Sequence, residues 1–154
     1  MTLNMTKVEQ AAYEDYMRVC LDLAQIAKAR GDSPVGSILV QNGKVVAEGI
    51  EGGKTHQDIT FHAEIEAIRN ARTTLGKTDL SDCILVTTHE PCIMCSYVIR
   101  HHRIKLIIVG LTTGEVGGYS SALPVLLDRS ISKWAEPPRI IEGILAQACR
   151  GLNE

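Results

Sequence analysis

Two short segments decide the interpretation of this chain: TFHAEI at residues 60–65 and EPCIMC at residues 90–95. Together they supply one imidazole, two thiols and a carboxyl group beside the imidazole. Thiolates and imidazoles are the usual ligands of zinc, and a catalytic zinc keeps its fourth position open for water. The segments therefore predict a zinc site on His62, Cys92 and Cys95, which the fold must bring face to face.

Each segment is predicted to begin a helix. Cys92 and Cys95 are three residues apart, so a helix carries both sulfur atoms on one face. Unpaired N–H groups at a helix N-terminus carry partial positive charge, which favours thiolates. Pro91 suits this position because it lacks an N–H group to donate. We expect Glu64 to carry protons rather than to bind zinc together with His62.

The predicted mechanism follows from these groups. Zinc lowers the pKa of a bound water toward neutrality and so supplies a nucleophile. The spacing H-x-E followed by P-C-x-x-C resembles the signature of zinc deaminases. This resemblance implies that Glu64 takes a proton from this water, protonates a ring nitrogen of the substrate and assists the departure of ammonia. An amino group on a heterocycle thereby becomes a carbonyl.

Other interpretations of the same residues have specific requirements. A Cys-x-x-Cys pair also occurs in thioredoxin-like redox proteins. A structural zinc needs a fourth strong ligand, for which His56 and His89 are the candidates. A non-catalytic zinc module has no need of Glu64. His101 and His102 are interpreted as charges at the end of a helix rather than ligands.

Length and composition describe an ordinary globular chain. The 154 residues suit one domain, 1–154, and the net charge of −2 argues against a dedicated nucleic-acid binder. The apolar runs are too short for a membrane span, and no signal-peptide pattern opens the chain. We therefore expect a cytoplasmic protein without a membrane partner. Its three cysteines outside the zinc site are expected in the core: Cys20, Cys83 and Cys149.

Helical and strand patterns alternate along the chain. Helices are predicted at 9–30 (stopped by Gly31), 61–73, 92–101, 120–128 and 141–150. Strands are predicted at 35–41, 44–49, 83–88 and 104–109, the first two joined by an Asn42-Gly43 hairpin turn. Residues 50–60 and 110–118 are predicted as loops. This alternation indicates an α/β sandwich with helices on both faces of a sheet.

The two segments match the H-x-E and P-C-x-x-C signature of zinc deaminases that act on nucleobases. The chain resembles the cytidine-deaminase-like superfamily, in the branch of tRNA adenosine deaminases, bacterial guanine deaminases and fungal cytosine deaminase. The likeness includes residues 34–36, 103–104 and 142–145. It implies a three-layer α/β/α sandwich with a five-stranded mixed sheet, and a homodimer. It also implies zinc on the triad named above, Glu64 as acid and base, and substrate contact by the backbone N–H of Ala63.

Two positions depart from these relatives. Glu51 stands eleven positions before His62, where relatives carry an asparagine that recognises the base. An ionised carboxylate only accepts hydrogen bonds, so a substrate-binding Glu51 favours a purine, pterin or triazine edge with donors over cytosine. Glu51 as a solvated loop residue is the alternative. Tyr97 replaces a small residue and could crowd the pocket, stack on a ring or fill the core.

The leading functional prediction is deamination of a small aminated heterocycle, as a free base or nucleoside. One alternative is adenosine-to-inosine conversion in tRNA, which requires phosphate contacts and a pocket for a splayed-out base. Basic candidates for such contacts are Arg69, Arg72, Arg100, Arg103 and Lys105, but acidic residues outnumber basic ones, 18 to 16, so tRNA is not favoured. Cytosine deamination is the second alternative. The pocket is expected to involve residues 50–60, residues 110–118 and the C-terminal segment.

Overall fold

A mixed five-stranded sheet forms the centre of the computed structural model, which describes residues 5–154. Its strands are β1 (Gly36–Gln41), β2 (Lys44–Ile50), β3 (Cys83–His89), β4 (Leu106–Leu111) and β5 (Arg139–Ile141). Their order across the sheet is β2-β1-β3-β4-β5. β1 runs antiparallel to β2 and β3, whereas β3, β4 and β5 are parallel. The predicted mixed sheet is therefore confirmed.

Helices cover both faces of this sheet. They are α1 (Lys7–Ala29), α2 (Gly53–His56), α3 (Ala63–Leu75), α4 (Ile93–His101) and α5 (Ala146–Gly151). Successive strand residues point to opposite faces. One buried cluster joins Leu39, Leu85 and Ile107 to α3 and α4, and the other joins their neighbours in β1, β3 and β4 to α1 and α5. The fold is the predicted three-layer α/β/α sandwich.

Helix and turn boundaries follow local chemistry. α1 begins after Thr6, two residues earlier than predicted, because Thr6 and Glu9 form a reciprocal capping box. Gly31 ends it in a left-handed conformation, with φ of 88°. Asn42 and Gly43 also have positive φ, as a two-residue hairpin turn requires, so this prediction is confirmed.

Three predicted segments are wrong. The 50–60 loop contains the short helix α2. Residues 120–128 form only a 3-10 turn at Val125–Leu127, preceded by Pro124 in a non-helical conformation. The predicted helix 141–150 begins only at Ala146, because Gly143 and Leu145 both have left-handed backbones. The strand β5 just before them was not predicted from the residue pattern.

The first turn of α3 lies directly on β2. A Cβ atom at Gly49 would lie 2.0 Å from the carbonyl oxygen of Ala63 and 2.5 Å from the backbone nitrogen of Ala67. Only glycine permits this approach of helix to strand. This close approach sets the position of His62, the residue before α3, relative to the sheet.

Among residues 5–154, no helix has both the length and the apolar composition that a membrane span requires.

Candidate metal centre and substrate pocket

The three predicted zinc ligands meet where α3 and α4 begin. His62 is the N-cap of α3, Cys92 is the N-cap of α4, and Cys95 lies in its first turn. The Nδ1 atom of His62 is 3.4 Å from the Sγ atom of Cys92 and 3.4 Å from that of Cys95. Ligand atoms of one tetrahedral zinc lie roughly 3.5 Å apart, so this arrangement fits one ion. The donor set of two sulfurs and one imidazole also suits zinc.

The cluster has three ligand groups, as a catalytic site requires. Within residues 5–154, the group of ligand atoms lying within 4.8 Å of one another consists of His62, Cys92 and Cys95. His56 is instead stacked on Phe61, with ring centroids 4.0 Å apart. His89 lies close by but does not join the cluster. Neither His56 nor His89 thus joins His62, Cys92 and Cys95 in the ligand cluster found among residues 5–154.

Hydrogen bonds among the three ligand groups shift their pKa values in different directions. Bonds with Cys95 and with His62 lower the pKa of Cys92 to about 4, so that Cys92 is a thiolate at neutral pH. The bond with Cys92, together with burial, raises the pKa of Cys95. The same thiolate raises the pKa of His62 to about 9. Zinc competes with these protons, because its ligands must be a thiolate and a neutral imidazole.

Glu64 is held beside the ligands in the first turn of α3. Its side chain is buried, and it is not part of the ligand cluster. Burial raises the pKa of Glu64 to about 8, with its own backbone N–H acting in the opposite direction. A carboxyl group with such a pKa can both hold and release a proton near neutral pH. Its position and chemistry suit proton transfer.

A cavity of about 220 Å³ opens beside these groups. Its lining residues come from the ends of several elements: Ser33, Val35, Glu51, His62, Glu64, His89, Glu90, Cys92, Thr113 and Val116. Residues 50–60 and 110–118 thus contribute, as predicted, whereas no residue after Val116 lines this cavity within the described chain. A larger depression of about 690 Å³ beside β2 and α3 contains none of the ligands.

Glu51 lines the cavity of about 220 Å³ that contains His62 and Cys92, and it does not lie in an open, solvated loop. Its residue is 9% exposed, and its Oε2 atom accepts the Gly53 N–H at 3.2 Å. Burial raises the pKa of Glu51, opposed by the charge of His62 and by the N–H groups of Gly53 and Ala63. The two predicted substrate-binding groups, the Glu51 carboxylate and the Ala63 N–H, are therefore neighbours. Their contact with substrate stays a prediction.

Tyr97 does not fill the core, and Arg100 is engaged within the protein. Tyr97 is 50% exposed, lies outside the cavity and packs edge-on against Trp134. Arg100 is buried and donates to the carbonyl oxygens of Val125 and Ala135 at 2.8 and 3.1 Å. Arg100 thus fastens a distant segment onto α4 and is not available to a phosphate group.

Glu90 organises the cavity wall and was not identified from the sequence. Its buried carboxylate accepts backbone N–H groups of Thr113, Tyr119 and Ser120 at 3.0, 2.8 and 2.8 Å. The hydroxyl of Ser120 donates to it as well. These four bonds hold residues 113–120 (the wall loop) against the metal centre. Because Glu90 lies within the EPCIMC segment while its partners are far along the chain, no local pattern indicates this role.

Two further contacts attach the wall loop to the second ligand segment. The N–H of Gly118 donates to the carbonyl oxygen of Pro91 at 2.8 Å. Gly117 forms an isolated antiparallel bridge with Cys92. The backbone of the wall loop is therefore in direct contact with Pro91 and Cys92.

Comparison with known proteins finds deaminases among the proteins similar to this chain. The family model for the cytidine and deoxycytidylate deaminase zinc-binding region matches residues 10–111. The tRNA-specific adenosine deaminase of Haemophilus influenzae is 33% identical over 148 residues, 96% of this chain and 84% of that protein.

Solved structures of deaminases are also similar to this chain. One from work on A-to-I editing by tRNA deaminases at the wobble position has a TM-score of 0.82 at 29% identity, covering 90% of this chain and 98% of that one. A guanine deaminase from Bacillus subtilis has a TM-score of 0.62 at 37% identity, covering 64% of each chain.

Proposed function

The chain belongs to the cytidine and deoxycytidylate deaminase family of zinc-dependent deaminases, and we propose that it converts adenosine to inosine in a tRNA. The observation that carries this proposal is the 33% identity to a tRNA-specific adenosine deaminase over 96% of the chain. Family membership confirms the resemblance found in the sequence. The relatives support the tRNA alternative better than the free base or nucleoside that the sequence favoured.

The chain's own groups account for the reaction. Zinc held by the triad would supply the Lewis acid that makes a water nucleophilic. Glu64 receives one proton of that water on a carboxylate oxygen and delivers it to the ring nitrogen next to the amino-bearing carbon, while the water oxygen adds to that carbon. Glu64 then takes the remaining proton from the new hydroxyl group and passes it to the amino group. The carbon–nitrogen bond breaks, ammonia leaves, and the hydroxyl oxygen becomes the carbonyl oxygen. The Ala63 N–H donates to the oxygen that develops on the same carbon.

The size of the cavity supports the binding of a single base. Its volume of about 220 Å³ is below the roughly 300–1,000 Å³ typical of pockets for drug-sized ligands. An adenosine flipped out of an RNA loop presents only its base to such a pocket. The rest of the RNA would then lie on the surface around the pocket.

Basic side chains near α3 support phosphate contacts there. Arg69, Arg72 and Lys77 line a separate cavity of about 490 Å³. Arg69 and Arg72 follow His62 by two to three helical turns, about 10–15 Å along the axis. Arg69 is paired with Glu66 and Lys77 with Asp82, so an RNA phosphate would compete with these carboxylates.

The proposal is tested with the zinc-loaded protein and a tRNA anticodon-loop hairpin containing one adenosine at the wobble position. We expect conversion of that adenosine to inosine, and a rate that falls steeply with salt because phosphate contacts are screened. Arg72→Ala should weaken RNA binding and reduce the salt slope, whereas Arg18→Ala, on the exposed face of α1, serves as the control. Deamination of free bases with none in RNA would contradict the proposal.

A second candidate is deamination of a free purine such as guanine. Glu51 favours it, since a carboxylate accepts hydrogen bonds from ring N–H and amino groups, which the guanine edge presents together. The 37% identity to the Bacillus subtilis guanine deaminase structure also supports it. If Glu51 reads such donors, Glu51→Gln should lower kcat/KM for guanine by roughly tenfold. A parallel measurement with adenosine in RNA shows which substrate depends on the carboxylate.

We also propose that residues 1–154 act as one deaminase domain that forms a homodimer. Support comes from the family resemblance and from exposed apolar side chains, at Val116 in the wall loop and at Leu123 and Leu127 after it. Such side chains are commonly covered in an interface. Sedimentation at several concentrations tests the dimer, and a monomer throughout would contradict it.

A further inference from the structure

One polar side chain of the pocket has no role in the chemistry described above. His89 is the last residue of β3 and lines the same cavity as His62 and Glu64, yet it lies outside the ligand cluster. The neighbouring Glu90 cannot supply a substrate contact as readily, because its carboxylate already accepts four hydrogen bonds from the wall loop. His89 is therefore a free recognition group in the cavity.

The Nδ1 atom of His89 is held by the protein. It lies 2.9 Å from the hydroxyl oxygen of Thr88, which itself accepts the N–H of Gly36 at 3.3 Å. Thr88 is fully buried, and its hydroxyl proton needs an acceptor. Nδ1 of His89 provides that acceptor. Thr87 fixes the backbone of the same residue by donating to the His89 carbonyl oxygen at 3.1 Å.

This arrangement determines what the other ring nitrogen offers. A neutral imidazole carries one N–H, so a ring whose Nδ1 accepts has its proton on Nε2. Burial lowers the pKa of His89, which keeps the ring neutral at physiological pH. Within residues 5–154, Nε2 forms no hydrogen bond, and it is not among the buried polar atoms sealed from solvent without a partner. The donor is therefore accessible from the cavity.

We propose that His89 is a specificity-determining residue whose Nε2–H donates to an acceptor atom of the bound substrate, a ring nitrogen or a sugar oxygen away from the reacting carbon. This inference rests on the proposed deamination taking place in this cavity. Glu51 on one side of the cavity accepts hydrogen bonds, whereas His89 donates one. The two side chains thus present opposite hydrogen-bonding groups to the cavity, an acceptor from Glu51 and a donor from His89.

Three variants test the contact. His89→Phe keeps a planar ring but removes the donor, and we expect kcat/KM to fall roughly tenfold, mainly through KM, which corresponds to one lost hydrogen bond. His89→Gln can place an amide N–H near the position of Nε2 and should recover most of the loss. His101→Phe, on the exposed part of α4, is the control and should leave kcat/KM unchanged. Zinc content should be equal in all three.

Substrate analogues identify the acceptor. RNA hairpins carrying 7-deazaadenosine, 3-deazaadenosine or 2′-deoxyadenosine at the target position each lack one acceptor atom. The wild type should lose roughly tenfold in kcat/KM on one of them, and His89→Phe should lose nothing further on that same analogue. This non-additivity separates direct contact from a general change in the pocket.

Two results would overturn the inference: an unchanged kcat/KM in His89→Phe, or losses on every analogue that are the same for wild type and variant. Failure of the proposed function has a different signature. If the wild type deaminates guanine but not the hairpin, the tRNA proposal fails. The same variants with guanine and its 7-deaza and 3-deaza analogues then test His89.

Discussion

The metal centre and the wall that faces it are built in different ways. The metal centre comes from two short segments, and each ligand occupies a helix cap or first turn that its own neighbours in sequence define. The wall loop has little regular structure. It is held mainly by the Glu90 carboxylate, through donors 23 to 30 residues further along the chain, and also by backbone contacts of Gly117 and Gly118. One side depends on local structure and the other on distant hydrogen bonds.

This difference in construction separates the groups proposed for the chemical step from those that would select the substrate. The candidate zinc ligands and Glu64 lie at the starts of α3 and α4, which pack against the sheet. The other residues that line the cavity lie at strand ends and in loops, which tolerate change without loss of the fold. We therefore expect substitutions on the two sides to produce different measurable effects: loss of metal on one side, and a raised KM with normal zinc on the other.

The largest effect is expected from removing a ligand. Cys95→Ser should release zinc on dialysis and lower kcat by more than about 100-fold. Loss of a residue that only hydrogen-bonds to a metal ligand already lowers metal affinity or activity by about 10–100-fold. Zinc content by atomic absorption and ammonia release measure this change. Cys83→Ser is the matched control, a buried cysteine at the start of β3. Full zinc retention in Cys95→Ser would refute the ligand assignment.

An intermediate effect is expected from Glu90→Gln. The amide has one acceptor oxygen, so two of the four donors in the wall loop face an N–H₂ group instead. We expect a loss of about 1–3 kcal/mol in unfolding free energy and a KM raised more than kcat is lowered, with zinc unchanged. Urea denaturation and steady-state kinetics measure both. Glu115→Gln, exposed in the same loop, should behave as wild type, and an equal effect there would count against Glu90 as the anchor.

A smaller effect of the same kind is expected from Gly117→Ala. Its φ of −66° is ordinary, but a Cβ atom would lie 2.3 to 2.6 Å from the Glu90 carboxylate. The loop can move outward to relieve this overlap, at a cost of about 1 kcal/mol. KM should rise while the zinc content stays normal. Gly151→Ala has no atom within 4 Å and is the control, and a loss of zinc in Gly117→Ala would show that the two sides are not separable.

The sequence predicted the metal centre well for a physical reason. His62, Cys92 and Cys95 lie at or within one turn of a helix start, and such spacing is visible in a single sequence. The role of Glu64 stays a prediction. The α/β alternation and the hairpin at Asn42 were equally local. The five strands, by contrast, followed only from the family resemblance, since β5 is three residues long and its pairing with β4 is a long-range contact.

The contacts that form the wall of the pocket could not be predicted from local sequence patterns. Glu90 was quoted within a predicted segment, but nothing in its neighbourhood shows that Thr113 and Ser120 return to it. His89 was considered only as a zinc ligand, because the bond between its Nδ1 atom and Thr88 is set by the geometry at the end of β3. The false helix at 120–128 has the same origin, since its apolar residues pack against α4 through a 3-10 turn instead.

Glu64 is proposed to carry the proton in a zinc-dependent hydrolysis, and this role is tested by ammonia release from Glu64→Gln protein with a full complement of zinc. The substrate is the one that the wild type deaminates. We expect normal zinc binding and a kcat lowered by about 10²- to 10⁴-fold, the usual contribution of a general acid and base. Ammonia release at the wild-type rate by the zinc-loaded variant would contradict it.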